Sequence, residues 1–501
     1  MSKSGIPKKE RALVLQGGGS LGAYEAGAYE ALYGWLSKKD KEERKEKSIT
    51  FDIIAGTSIG AMNAAVLTSY VVENGTYEGS AERLVEFWRY LSRQSLVDTN
   101  PWFKLWWDTL HSFNNSFATS EAARRYYSAR EFAISGVPNV FSPVNPLFDN
   151  RFLDLMGNTW YRFSNEPLRR SLEKFAKFPI ATSHENNQPR LLLVAVDVAD
   201  GVSVTFDSYA SEDGSRKTEY GNYIEEGGKE IGFEHVVRYD EGITVDHVMA
   251  SGSYPVNFDY ATLEVESHSS TLDESKLGEK VTNNNIKTNQ KKTPYQELEH
   301  YQIEKRYFWD GGLMTNTPLT QLVLLHRKYW YKVRAIKDKI PALGICVVNV
   351  HPTRQPDIPS DHDGVVNRNN DITFSDRSHR DEEVLLLISD YVDLVRELIS
   401  TAKENGVKEN TINDILNRRT KYHGLLTKPR MYKEIIEGRF DIAEIVRVER
   451  KNDENTISDK TFDFSRGTID QLLKSGYDDT MSFINEWISK NTGEMIERFE
   501  K

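Results

Sequence analysis

One segment around Ser58 constrains the fold more than any other, because three local structures follow one another in it. The apolar run 53–55 is typical of a buried strand. The chain then breaks at residues 56–60, with the sequence GTSIG, and good helix formers follow. Because glycine has no Cβ, Gly56 and Gly60 leave room for a strained turn that holds the serine clear of the sheet.

The serine in this turn has the surroundings of a nucleophile. A G-x-S-x-G motif between a strand and a helix exposes the serine oxygen, and the positive end of the helix favours negative charge there. An ordinary turn in which Ser58 caps the helix would need the same residue types. The strand and the helix that flank the motif favour a nucleophile over a helix cap. Other segments of the chain supply further evidence on this choice.

Composition and charge argue against membrane-spanning, secreted and nucleic-acid-binding proteins. A chain of 501 residues exceeds one simple core, so we expect two domains or one domain with insertions. No apolar run reaches about 18 residues, which predicts no membrane span, and the polar residues 1–11 carry no secretion signal. Cys346 is the only cysteine, so no internal disulfide forms, and a cytoplasmic protein is expected. The net charge of -11 argues against nucleic acid as a partner.

A glycine-rich loop with the sequence GGGSLG, residues 17–22, follows a first predicted strand and precedes a helix. Backbone N–H groups at such a helix start bind anions. The spacing fits the G-x-G-x-x-G dinucleotide motif, which also needs an acidic residue after the second strand, roughly 20 residues on. Asp40 is at about that distance but lies within ten consecutive charged residues, 38–47. A nucleotide site is therefore weakly supported.

An oxyanion hole is the better use for this loop. The carbonyl oxygen of an ester becomes negative under attack, and a fixed backbone donor stabilises it by about 3–4 kcal/mol. Parallel neighbouring strands place their following loops at one edge of a sheet. We therefore expect Gly17, Gly18 and Gly19 to face Ser58.

Residues 12–24 (ALVLQGGGSLGAY) and 54–64 (IAGTSIGAMNA) resemble the first two blocks of the patatin-like phospholipases. The resemblance implies a nucleophile at Ser58 and an oxyanion loop at residues 17–19. One departure is Leu21, where many members carry Arg or Lys. That change leaves the backbone donors intact but removes a positive charge near the site.

A predicted strand that ends at Asp310 is followed by Gly311 and Gly312. A plain Asp-Gly turn would explain these residues equally well. Residues 310–319 (DGGLMTNTPL), however, resemble the Asp-Gly-Gly…Asn-x-Pro block of the same family. The resemblance implies that Asp310 is the general base of a Ser-Asp dyad with Ser58, and that the two glycines support its loop.

Two alternatives stay open. Asp197 and His351 each end or follow a predicted strand, and Ser58, Asp197 and His351 have the chain order of an α/β-hydrolase triad. A non-catalytic lipid-binding protein with the same fold is the other alternative.

Aromatic residues at helical spacing follow a predicted helix at 81–92. They include Trp102, Phe103, Trp106 and Trp107. An aromatic face packed on the core explains the spacing. The functional alternative is an acyl-chain wall, a lid or a membrane-interface contact, where tryptophan is favoured.

The predicted fold is α/β, with a three-layer patatin-like hydrolase core, a mainly parallel central sheet and a mostly helical C-terminal extension. The catalytic domain is predicted at residues 1–350, with polar insertions near 211–241 and 264–304. The extension, 351–501, is predicted to pack on or beside the core. The amphipathic run 384–399 is expected to pack across the core.

The predicted function is hydrolysis of fatty-acyl esters of phospholipid or lysophospholipid through an acyl-enzyme. No cofactor is expected, and no metal, because no Cys/His cluster has ligand spacing. The expected partner is a lipid or acyl-ester substrate, with peripheral contact to a membrane as an additional option.

Overall fold

The structure is a computed structural model that describes residues 6–42, 50–95, 99, 120–144, 160–226, 229–272, 295–297, 302–336, 340–375, 378–419, 431–437, 441–451 and 456–499. The aromatic residues Trp102, Phe103, Trp106 and Trp107 lie outside these ranges, so their predicted contacts stay predictions.

The chain begins with strand, helix, strand and helix in that order, and further strands and helices follow without strict alternation. The strands are β1 Lys9–Leu15, β2 Ile53–Thr57, β3 Ser142–Pro143, β4 Phe163–Ser164, β5 Arg190–Asp197, β6 Val202–Asp207, β7 Lys217–Glu226, β8 Lys229–Arg238, β9 Ala261–Leu272, β10 Tyr295–Glu297, β11 Gln302–Asp310, β12 Ala342–Asn349 and β13 Ile442–Glu449. The helices are α1 Gly22–Glu42, α2 Ile59–Asn74, α3 Ser80–Leu91, α4 Ser120–Ser135, α5 Glu166–Phe175, α6 Val245–Gly252, α7 Leu319–Lys328, α8 His362–Phe374, α9 Ser378–Glu404, α10 Glu409–Leu416, α11 Tyr432–Ile436 and α12 Arg466–Phe499.

Within the described ranges the central sheet contains 11 strands, and it has two halves of different character. Strands β13-β12-β1-β2-β5 pair in parallel, and β11-β9-β8-β7 continue the sheet by antiparallel pairing. All residues of β2 and β5 are buried, as expected for parallel strands that are covered on both faces. The predicted α/β class is confirmed, and the parallel half brings the ends of β1 and β2 side by side.

Alternate residues of β1 enter two different cores. Leu13 and Leu15 join the cluster formed with α1 and α2, whereas Ala12 and Val14 join a cluster with Leu319 of α7. Since successive side chains of a strand point to opposite faces, the sheet lies between two layers of helix.

Residues after 350 contribute to both the sheet and one helical layer. Strand β13 pairs in parallel with β12 and forms the edge of the sheet on that side. Helix α12 approaches α1 closely, because a Cβ at Gly27 would lie 1.8 Å from the Leu473 carbonyl oxygen. The domain boundary at residue 350 stays a prediction. The chain on its C-terminal side contributes β13 to the central sheet and packs α12 against α1.

The two stretches predicted as polar insertions also supply strands. Strands β7 and β8 form a hairpin, and β8 pairs with β9 to continue the antiparallel half. Their polar sequences lack the apolar alternation that predicts strands, and the hydrogen-bond ladders to neighbouring strands define them instead.

Helix α9 turns a different face to the core than its sequence pattern predicts. Leu385 and Val392 are buried, whereas Leu387 and Tyr391 are 52% and 60% exposed. The expectation that the apolar run 384–399 packs across the core was therefore wrong for most of its residues. The rest of the protein covers only the face of α9 that carries Leu385 and Val392. Within the described ranges, no helix has the length and apolar character needed to span a membrane.

Candidate active site

Ser58 stands at a strained turn between β2 and α2. Its φ of 55° and ψ of -125° are unusual for a residue with a side chain, a conformation that costs of order 1–3 kcal/mol. A Cβ at Gly56 would lie 2.3 Å from the Gly60 carbonyl oxygen, and one at Gly60 would lie 2.5 Å from the Leu15 carbonyl oxygen. The two glycines therefore permit an approach of backbones that any side chain would prevent.

Ser251, at the end of α6, braces this turn. The Ser58 backbone N–H donates to Ser251 Oγ at 2.9 Å, and that hydroxyl donates to the Val194 carbonyl oxygen of β5 at 2.6 Å. The hydrogen bonds tie the turn to the neighbouring strand. The sequence does not predict this contact, because Ser58 and Ser251 are 193 positions apart along the chain.

Asp310 ends β11 and is only 2% exposed. Burial raises the pKa of its carboxyl to about 7 from an ordinary value of 3.8, while hydrogen bonds from the Ser58 side chain and the Gly312 amide oppose the shift. The Gly312 N–H donates to Asp310 Oδ1 at 2.7 Å. The carboxyl is thus desolvated, and the half-buried Ser58 side chain is one of the two donors that act on it.

The glycines after Asp310 allow its loop to pass close to its neighbours. A Cβ at Gly311 would lie 2.3 Å from the Val194 carbonyl oxygen, and one at Gly312 would lie 2.9 Å from Asn316 Oδ1. Larger residues would push the carboxylate away from β5 and hence from Ser58.

The glycine loop after β1 reaches the same place. A Cβ at Gly17 would lie 2.9 Å from Ser58 Cβ and 2.3 Å from Asn316 Oδ1. Gly19 has a φ of 58°, in the left-handed region that favours glycine. The predicted loop, nucleophile and carboxylate thus converge at the carboxyl edge of the parallel strands.

Two amide side chains for which the sequence predicts no role cross-link these loops. Asn316 Nδ2 donates to the Gly17 carbonyl oxygen at 3.1 Å, and the Gly17 N–H donates to the Asn316 carbonyl oxygen at 3.3 Å. Gln16 Nε2 donates to Thr317 Oγ1 at 2.9 Å. The position of Gln16 directly before the glycines and that of Asn316 in the DGGLMTNTPL block were the available signals.

The alternative triad was wrong, because Asp197 and His351 have other partners. Asp197 accepts hydrogen bonds from Arg306 at 2.6 and 2.8 Å. His351 Nδ1 instead lies 3.0 Å from Asp371 Oδ1. Neither residue therefore has the partner that the triad requires.

The assembled groups suit acyl transfer. A hydroxyl in contact with a desolvated carboxylate supplies a nucleophile and a base, and the helix start beside it favours a developing oxyanion. Among the described residues, no group of three or more His, Cys, Asp or Glu side chains is arranged to hold a metal ion.

Comparison with known proteins points the same way. The profile of the family described as patatin-like phospholipase matches residues 13–323, which include both Ser58 and Asp310. No curated protein matches the chain in sequence. The matching solved structures include VipD from Legionella pneumophila, which is 10% identical, with 97% of this chain and 69% of that chain covered and a TM-score of 0.27.

Proposed function

Because this chain belongs to the patatin-like phospholipase family, a family of lipid acyl hydrolases, we propose that it cleaves fatty-acyl esters of phospholipid or lysophospholipid with Ser58 as nucleophile and Asp310 as base. The convergence of the Ser58 turn, the glycine loop and the loop of the buried Asp310 around Asn316 carries this proposal. Peripheral membrane contact and a cytoplasmic location stay predictions from the sequence.

Asp310 begins the reaction by accepting the proton of the Ser58 hydroxyl as its oxygen attacks the acyl carbonyl. A carboxylate of ordinary pKa is a poor base for a hydroxyl. Burial raises the pKa of Asp310 to about 7, which brings it near the pH at which a general base is most effective. Desolvation therefore supports the role of a carboxylate that works without histidine.

The carbonyl oxygen becomes negative in the tetrahedral intermediate. The loop Gly17, Gly18 and Gly19 is the proposed oxyanion loop, with the N–H groups of Gly18 and Gly19 as the donors, because the Gly17 N–H already donates to the Asn316 carbonyl oxygen. The start of α2 adds its positive end. Asp310 then returns the proton to the leaving alcohol, and an acyl-enzyme forms on Ser58. Water that is deprotonated by Asp310 attacks this ester, releases the fatty acid and restores the Ser58 hydroxyl.

Hydrolysis of p-nitrophenyl esters over a series of acyl-chain lengths tests the proposal. The proteins are the wild type, Ser58→Ala, Asp310→Asn and the control Asp213→Asn. Asp213 also precedes a glycine, but it lies on an exposed turn and accepts from Ser215 and Lys217. We expect the first two substitutions to abolish turnover and the control to retain it.

Covalent labelling by a fluorophosphonate separates an enzyme from a binder. An active serine hydrolase reacts through its nucleophile, and a lipid-binding protein of the same fold does not. A wild-type protein that hydrolyses no ester and takes no label would overturn the proposal in favour of a non-catalytic lipid-binding protein.

A further inference from the structure

The glycine loop is held by residues beyond the region that the family profile matches. Ser20 Oγ donates to the Lys460 carbonyl oxygen at 2.6 Å. A Cβ at Gly19 would lie 2.5 Å from the Thr461 carbonyl oxygen, and one at Gly18 would lie 2.6 Å from Val350 Cγ2. Three successive loop positions therefore pack against the last third of the chain.

A buried ionic chain lies behind these contacts. Asp371 of α8 is fully buried, and its Oδ1 accepts hydrogen bonds from Lys460 Nζ and from His351 Nδ1, the latter at 3.0 Å. His351 is 2% exposed and Lys460 is 5% exposed. All three side chains belong to the segment after residue 350.

His351 connects this chain to the loop in two ways. Its backbone N–H donates to Gln16 Oε1 at 3.0 Å. Its ring also borders the loop, because a Cβ at Gly18 would lie 3.4 Å from His351 Nε2. Movement of the imidazole would therefore disturb both the residue that precedes the glycines and the second glycine itself.

The carbonyl of Phe374, at the end of α8, adds a third connection. It accepts from Asn316 Nδ2 at 2.7 Å and from Gln16 Nε2 at 3.2 Å. Since Asn316 also bonds to Gly17, the helix that carries Asp371 is joined directly to both walls of the site.

We propose that His351, Asp371 and Lys460 are positioning residues that fix the glycine loop against Ser58 and so set the geometry of the oxyanion donors. This inference rests on the proposed function and adds to it a requirement for the segment after residue 350. A buried ion pair gives little net stability over packed apolar residues, and a fixed loop is the benefit that these contacts supply.

A second buried carboxylate and histidine give a matched control at the opposite end of β1. Glu10 Oε2 lies 2.9 Å from His326 Nε2 and accepts from Trp330 Nε1 at 2.8 Å. Both residues are buried, like Asp371 and His351, but they lie at the start of β1 and not beside the glycine loop. Asp371→Asn and Glu10→Gln therefore make the same chemical change at two places.

The test compares kcat and KM of these two variants on a p-nitrophenyl ester, with hydrogen exchange of the amides of residues 16–21. A misplacement of about 1 Å in a catalytic group costs on the order of 100-fold. We therefore expect Asp371→Asn to lower kcat by about 10- to 100-fold, to change KM by less than about twofold, and to speed exchange in the loop. Glu10→Gln should leave kcat and loop exchange unchanged.

A double variant keeps the proposal testable if Asp371→Asn alone does not fold. Asp371→Asn with Lys460→Met removes both charges and leaves no lone ammonium in the interior, and it should show the same loss of kcat. Lys460→Arg keeps the positive charge and should retain most of the turnover.

The outcomes separate the two proposals. Unchanged kcat and loop exchange in a folded Asp371 variant would overturn the positioning role, and so would an equal loss of kcat in Glu10→Gln. If the wild type is inactive on esters, the proposed function fails. Loop exchange then decides the positioning role by itself, since faster exchange in Asp371→Asn alone supports it and unchanged exchange overturns it.

Discussion

Asp310 and Asp197 are two buried carboxylates on neighbouring strands with opposite properties. Strand β11 pairs with β5 so that Asp310 lies opposite Ala195, and Phe308 lies opposite Asp197. Both side chains are almost inaccessible to water. The pKa of Asp310 is nevertheless raised to about 7, whereas the pKa of Asp197 is lowered from its ordinary value.

The difference lies in the donors that each carboxylate receives. Burial raises the pKa of both groups, but hydrogen bonds from Arg306 and Tyr220 outweigh it at Asp197 and lower its pKa. Asp310 accepts from the Ser58 hydroxyl and the Gly312 amide, and burial prevails. The supply of donors thus separates a structural anion from a candidate base.

The largest expected effect follows from removing the base. Asp310→Asn keeps the size of the side chain but leaves nothing to accept the Ser58 proton, so kcat should fall by about 10²- to 10⁴-fold. Ester hydrolysis at saturating substrate measures this loss. An Asp310→Asn protein with wild-type turnover would place the base elsewhere.

Removing the cation that pairs with Asp197 should lower the stability of the fold. Arg306→Met leaves Asp197 buried without its cation, and we expect the free energy of unfolding to fall by about 3–5 kcal/mol. Urea titration measures this change, and kcat per folded molecule should stay within about threefold of the wild type. A large loss of kcat in fully folded Arg306→Met would show that the two carboxylates are not separate in function.

Stability should depend on pH in opposite directions at the two sites. Asp310 in the folded protein binds its proton up to a pKa of about 7, above its ordinary value of 3.8. Stability is therefore lost as pH rises through this window, by up to roughly 4 kcal/mol. The pKa of Asp197 is lowered, so its contribution is present above its ordinary pKa and is lost as the solution becomes more acidic than the folded pKa.

Urea unfolding of the wild type and Asp310→Asn at pH 5 and pH 8 isolates the first effect. Asn carries no titrating proton, so the variant should gain stability relative to the wild type at the higher pH. The same difference between the two proteins at both pH values would mean that Asp310 does not titrate between them.

The smallest expected effect concerns the brace under the nucleophile. Ser251→Ala removes the acceptor of the Ser58 N–H, a hydrogen bond of about 0.5–1.5 kcal/mol. We expect kcat to fall by about 3- to 10-fold with KM nearly unchanged. Ser142→Ala, on the short strand β3, is a control that should leave kcat as it is.

The sequence predicts the candidate site better than its surroundings, for a physical reason. Ser58, Asp310 and the glycines sit in local patterns of strand, turn and helix, and the backbone approach at Gly56 and Gly60 demands those residue types. Such requirements are local and can be read along the chain.

Pairings between distant residues carry no such signal. Asp197 meets Arg306 across 109 positions, and Asp371 meets Lys460 across 89 positions. Each of these residues has an ordinary local sequence, and only the fold chooses its partner. The sequence also fails to predict the outward face of α9 and the polar strands β7 and β8. The local sequence of a segment does not specify which other parts of the protein pack against it.

The most direct test of the central claim is the pH dependence of fluorophosphonate labelling at Ser58, followed by mass mapping of the modified peptide. The wild type should be labelled at Ser58, with a rate that rises with pH and levels off above the Asp310 pKa of about 7. Asp310→Asn should lose that rate and Asp213→Asn should keep it. Labelling of Asp310→Asn at the wild-type rate, or a rate controlled by a group with an ordinary aspartate pKa, would contradict the dyad.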